Sequence, residues 1–156
     1  MNSTDSHPKA ETTPEHCAYC FDVLIGVLNK EISKSKFPPL PASIPKIDAP
    51  LFVTWHKDGD LRGCIGIVYN FFIFSKFSGT FSKESIEQNL PEYTVVSAFQ
   101  DTRFDPISKS EVPHLSCAVS LLTNFEKGKD AMDWEVGKHG ISIELKEGDK
   151  LTHFFS

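Results

Sequence analysis

The sequence predicts an α+β fold, a single domain with an antiparallel-rich sheet and packed helices, and three observations carry that expectation. Near the amino terminus Cys17, Cys20, Phe21, Leu24, Val27, Leu28 and Ile32 recur at three-and-four spacing, the pattern of a helix with one apolar face. The runs Leu51–His56 and Leu61 onward flank Lys57-Asp58-Gly59-Asp60, turn chemistry that joins two strands into a hairpin. Leu115, Cys117, Val119 and Leu121 alternate with Ser116, Ala118 and Ser120, the period-two pattern of a strand covered on one face.

Taken in order, Met1 to Thr13 is polar and lacks an apolar stretch, so it reads as a disordered tail and neither a signal nor a transit peptide. The domain is expected over residues 14–156. Thr13 suits the N-cap of the first helix and Pro14 its first position, and the helix is expected to end near Ser33 to Lys36. Phe37 to Pro50 holds Pro38, Pro39, Pro41, Pro45 and Pro50, which deny it a regular ladder and predict an extended surface connector. After the hairpin comes an unbroken apolar run, Ile67 to Phe74, far short of the ~20 residues a helix needs to cross a bilayer. Ser82 can cap a short turn, and Pro91 is expected in the first turn of a helix running to about Phe99, with Val95, Val96 and Phe99 inward. Asp101 to Pro106 is a polar loop. Beyond the alternating strand, Trp134 and Val136 lead into a glycine-flanked turn at Gly137 to Gly140, and Ile141–Leu145 with Leu151–Phe155 reads as a closing hairpin.

At 156 residues, 40% hydrophobic and 24% charged, the chain is long enough for a real core and ordinary for a globular protein. A formal net charge of -5, with no run of Lys or Arg, argues against a nucleic-acid partner held through its phosphates. Four cysteines without a secretory signal point to a reducing compartment, the cytoplasm with the nucleus within reach, where thiols stay free. Cys17 and Cys20 form a lone C-x-x-C whose spacing places both on the inner face of a helix; no metal or cofactor is expected, because no second ligand pair accompanies them.

The densest chemistry lies in Leu61-Arg62-Gly63-Cys64-Ile65-Gly66. Residues two apart on a strand share a face, so Arg62 is expected beside Cys64, where a guanidinium can lower a thiol pKa, while Gly63 and Gly66 leave backbone open to a ligand. The other reading of the same residues is a buried cysteine at a bulge, with Arg62 reaching to a carboxylate. A thiol-dependent site also needs a base and a group to orient it.

Leu-Arg-Gly-Cys-Ile-Gly resembles the signature of the AMMECR domain family. Pro50 to Trp55 looks like that family's preceding strand, and Glu92-Tyr93-Thr94 with Ser97 to Phe104 looks like its following helix and loop. Ser120 to Glu126, Asp133 to Gly137 and His139-Gly140-Ile141 are similar to its later blocks, in the same order, so the resemblance covers roughly Cys17 to Leu145. It implies the domain while leaving its biochemical activity unassigned. The matching blocks supply Cys64, His139, Asp101 and Glu135 as candidates for catalysis, and Arg62, Gly63, Gly66 and Arg103 for binding a ligand. The chain departs from the family twice: Ile67 to about Lys76 looks inserted, and the sequence stops at Ser156 where the family's domain continues, so the domain is expected to be truncated at its carboxyl end.

Two functions stay open. The favoured one is a non-catalytic intracellular interaction or regulatory module with a protein or small-molecule partner and no membrane attachment. The alternative is a small-ligand pocket or an enzyme that depends on Cys64.

Overall fold

The computed structural model describes residues 11–33, 36–47, 49–67, 85–123, 126, 128–130, 132–138, 142–147 and 150–155, the last two stretches and Ile67 by their backbone. The fold is α+β, and the chain divides into two compact units, Met1–Thr123 and Asn124–Ser156. Residues 1–10 of the expected tail lie outside the described residues, as do 68–84, which hold Ser82 and nearly all of the stretch read as inserted.

In the first unit, helix α1 spans Pro14–Leu28. Thr13 precedes it in extended conformation, and its N–H donates to His16 Nδ1 at 3.1 Å, which ties the first turn to the residue before it. The helix ends earlier than the apolar spacing suggests. Lys30 takes a left-handed φ of 63°, and the N–H groups of Lys30 and Glu31 donate to Val27 and Gly26 at 3.0 and 2.8 Å, a Schellman closure. Ile32, expected to extend the helical face, instead folds back over Gly26, where any Cβ would collide with its side chain.

Strand β1 (Leu51–Lys57) is central, with β2 (Asp60–Ile67) and β3 (Leu115–Leu121) antiparallel on either side, in the order β2-β1-β3. Asp58 and Gly59 both have positive φ, 51° and 93°, the two-residue turn whose twist suits a hairpin. Ile67 closes β2 opposite Leu51.

Leu51, Val53 and Trp55 alternate onto one face of β1 and are fully buried, each aliphatic of this kind contributing about 1.5–3 kcal/mol over exposure. Helix α2 (Ile86–Phe99) and α1 cover this face: Trp55 Nε1 donates to the Thr94 carbonyl at 3.3 Å, and its ring meets Phe21 edge-on at 5.1 Å. Helix α2 starts five residues before Pro91, which therefore sits inside the helix, and Ser85 stands in extended conformation just ahead of it. Its buried Thr94 and Ser97 return their hydroxyls to the carbonyls of Leu90 and Tyr93, each at 2.6 Å, so an apolar count understates how much of this helix is interior.

The proline-rich connector has no helix or strand among its described residues, and it is tethered rather than loose. Ile44 and Ala49 are buried, and the Tyr19 hydroxyl donates to the Pro38 carbonyl at 2.7 Å. Burial pushes the Tyr19 phenol up to about 12.

In the second unit, β4 (Ser142–Glu147) and β5 (Lys150–Phe155) form the expected antiparallel hairpin. Before it, Asp133 and Asp130 accept the backbone N–H groups of Lys129 and Met132 at 2.9 and 2.8 Å, and Gly137 turns with φ 80°. No helix among the described residues is long and apolar enough to cross a membrane.

Candidate functional site

The motif lies on β2, an edge strand, and backbone alternation decides which of its groups look outward. Leu122 N–H to the Pro50 carbonyl at 2.8 Å and Asp58 N–H to the His114 carbonyl at 3.1 Å set the ladder between β1 and β3, and in that ladder Thr54 pairs with Ala118. Thr54 therefore faces Cys64 as a non-hydrogen-bonded pair, the type in which side chains approach closely, and Thr54 Oγ1 lies 3.1 Å from Cys64 Sγ. The amide and carbonyl of Cys64 are left pointing off the sheet.

Two side chains from the loop after α2 meet them. Asp101 Oδ2 accepts the Cys64 N–H at 2.9 Å, and Arg103 Nη2 donates to the Cys64 carbonyl at 3.1 Å. Arg103 also grips Asp101 with both arms, Nε to Oδ1 at 2.9 Å and Nη2 to Oδ2 at 2.7 Å. The pair thus occupies the edge where a neighbouring strand would otherwise bond. Asp101 is 5% exposed, and hydrogen bonding from Arg103 outweighs burial to hold its carboxyl down to about 2.

Arg62 is not the cation that serves the thiol. The register slips between Trp55 and His56, leaving Arg62 as the extra residue of a bulge, and its Nε and Nη2 donate to Glu111 Oε1 and Oε2 at 3.0 and 3.3 Å. Glu111 belongs to the 3-10 segment Lys109–His114, accepts from Lys57 at 3.1 Å and from the Ser108 N–H at 2.9 Å, and is held well below the usual carboxylate range, chiefly by Arg62. Nη1 of Arg62 is buried without a partner among the described residues. The guanidinium that lies beside Cys64 is that of Arg103, and the Phe104 ring lies against both arginines, 5.5 Å from Arg103 and 6.0 Å from Arg62.

The space over the motif glycines is taken by protein. A Cβ on Gly63 would strike the Ser97 carbonyl, so this glycine is what lets α2 lie against β2. A Cβ on Gly66 would strike the Leu51 carbonyl and the Phe52 ring, which covers the glycine from the paired strand.

Among the sequence candidates, Cys64, Asp101 and Arg103 come together, with Asp101 on the Cys64 amide rather than on the thiol. Arg62 joins Glu111. Glu135 belongs to the second unit, where its carboxylate meets Lys138 at 3.3 Å, and His139 lies outside the described residues. No group of three His, Cys, Asp or Glu among the described residues is arranged to hold a metal. A polar groove of about 440 Å³, lined by Glu11, Thr12, Val119, Ser120 and Leu121, runs along β3 at the opposite edge of the sheet from Cys64.

Sequence reasoning missed Glu111, although Ser108-x-x-Glu111 has the spacing of a capping box and was readable as such. Thr54, Phe104 and the placing of Cys117 against α1 left no local signal.

The segments that build this clamp, β2, α2, the loop to Phe104 and the 3-10 segment, all fall within a match to the AMMECR1 family model over residues 17–75 and 78–154. The chain belongs to the AMMECR1 family. Uncharacterised proteins are among its AMMECR1-type relatives: one of Arabidopsis thaliana is 38% identical over 143 residues, covering 88% of this chain and 58% of its own length. Another, of Kluyveromyces lactis, is 39% identical over 111 residues, 63% of this chain and 43% of its own length. A third, of Schizosaccharomyces pombe, is 37% identical over 135 residues, 84% of this chain and 62% of its own length. The chain therefore spans about half the length of these AMMECR1 relatives.

Proposed function

We propose that this chain is a non-catalytic intracellular interaction module, cytoplasmic with access to the nucleus, whose motif shapes a binding surface for a protein partner. The observation that carries the reading is the engagement of Asp101. Among the described residues, the one base candidate that reaches Cys64 spends its oxygens on the strand amide and on Arg103, and a carboxyl held near 2 is a poor proton acceptor at neutral pH. Arg62 and Glu111 likewise pair with each other, which suits a scaffold better than an anion site. The net charge of -5 favours a protein over a nucleic acid as partner.

One observation favours the alternative, a small-ligand or thiol-dependent site: Cys64 is only half buried, beside Thr54 Oγ1 and the charge of Arg103. In that reading Arg103 would face a ligand bound beside the Cys64 thiol.

Cys64→Ser separates the two, since it removes the thiol and keeps the backbone bonds to Asp101 and Arg103. Chemical cross-linking in cytosolic extract should recover the same protein partner, in the same yield, with the variant and the parent. A compound whose conversion by the parent is lost in Cys64→Ser would sink the module reading and establish thiol-dependent catalysis.

A further inference from the structure

The four thiols divide three to one. Cys64 stands on the motif strand, while the other three meet where α1 packs against β3. The three-residue spacing of Cys17 and Cys20 brings them one turn apart on the inner face of α1, and Cys117 projects from the face of β3 that carries Val119 into the core. Cys17 Sγ donates to the Cys117 carbonyl at 3.3 Å. The Cys117 thiol lies close to those of Cys17 and Cys20. Cys20 is fully buried, whereas Cys17 and Cys117 are both only partly so, which leaves these two within reach of a small oxidant.

We propose that Cys17 and Cys117 form a dithiol switch, in which a hydroperoxide closes a disulfide that fastens α1 to β3. The Cys17 sulfur attacks the terminal oxygen of the hydroperoxide, the O–O bond breaks, and the alcohol (water, for hydrogen peroxide) leaves with a proton. Cys17 then carries the hydroxyl as a sulfenic acid. The Cys117 sulfur attacks the Cys17 sulfur, and the hydroxyl departs with the Cys117 proton as water. Two thiols and one hydroperoxide thus give one disulfide, one alcohol and one water. Burial holds the Cys17 thiol above its usual range, and the neighbouring Cys20 together with burial does the same for Cys117. Such thiols stay reduced under mild conditions, so the switch answers a strong or sustained oxidant load.

The test uses the full chain carrying Cys64→Ser, so that the motif thiol cannot link molecules together. After hydrogen peroxide, alkylation of the remaining thiols and peptide mapping without reductant, the monomer should contain the Cys17–Cys117 pair and a single alkylated residue, Cys20. Its melting temperature should rise by several degrees and return with dithiothreitol. Adding Cys117→Ser should abolish the rise and leave Cys17 as a sulfenic acid that reacts with dimedone. A bond between Cys17 and Cys20, a bond from Cys117 to Cys20, disulfide-linked dimers, or three alkylated thiols after exhaustive oxidation would each overturn the proposal.

Discussion

His16 is fully buried at the amino end of α1, with Nδ1 occupied by the Thr13 N–H and Nε2 unpartnered among the described residues. Burial is the main cause that lowers its pKa from 6.5, with the Thr13 backbone and the charge of Glu15 pulling the other way. The unfolded chain therefore binds more protons than the folded one below 6.5, and stability falls as pH drops through that value until the folded pKa is passed. His16→Gln should flatten this part of the melting temperature against pH curve, at a cost at neutral pH of about 1 kcal/mol. A curve of unchanged shape would show that His16 is not the group responsible. Asp101 works at lower pH, and its shift is also downward: its carboxyl is depressed from 3.8 to about 2, chiefly by hydrogen bonding from Arg103, so its contribution is complete above 3.8 and is lost between those values. Asp101→Ala strands the Cys64 amide and the Arg103 guanidinium, and should cost about 1–3 kcal/mol by urea denaturation at pH 7 while erasing that acid step. A loss that persists at pH 1.5 would assign the effect to something other than the charged carboxylate. The residue types of this site were legible in the sequence, but their use was not: nothing local distinguishes an aspartate that accepts from a strand amide from one that would accept from a thiol.

Helices and strands were read where periodicity is strong and misplaced where a single residue decides. The hairpin turn at Asp58-Gly59 and the alternation of β3 are local chemistry and were visible. The end of α1 was not, because Lys30 closes it in a conformation usually left to glycine, and apolar spacing through Ile32 disguises the stop. The start of α2 was misplaced for a related reason, since proline is more often a first-turn residue than an interior one and here stands inside. Between elements the decisive contact is Gly63 under the Ser97 carbonyl, which sets how near α2 comes to the motif strand. Gly63→Ala should push the helix off and lower stability by about 1–3 kcal/mol, read as a shift in the urea midpoint with an unchanged slope. An unshifted midpoint would mean that helix and strand have room to give.

At the scale of the whole molecule, the ties of the first unit span long stretches of sequence. Cys64 reaches 37 residues on to Asp101, Arg62 reaches 49 to Glu111, and Cys17 reaches 100 to Cys117. Pairings of this range are set by the packed sheet and helices, which is why a reading of neighbouring residues gave the parts and not their partners. The same ties sort the unit by origin. Helix α1, β1 and β2 come before residue 68, while α2, the 3-10 segment and β3 come after residue 84. Every tie just named crosses from one set to the other, as do the pairing of β1 with β3 and the bond from Trp55 to Thr94. Two polypeptides should therefore hold each other as one body when the peptide link between them is severed. With a specific protease site placed in residues 68–84, the cut chain should elute from a sizing column as a single species and separate into its two pieces in urea; pieces that part company in plain buffer would show that the covalent thread, not the mutual grip, keeps the body whole.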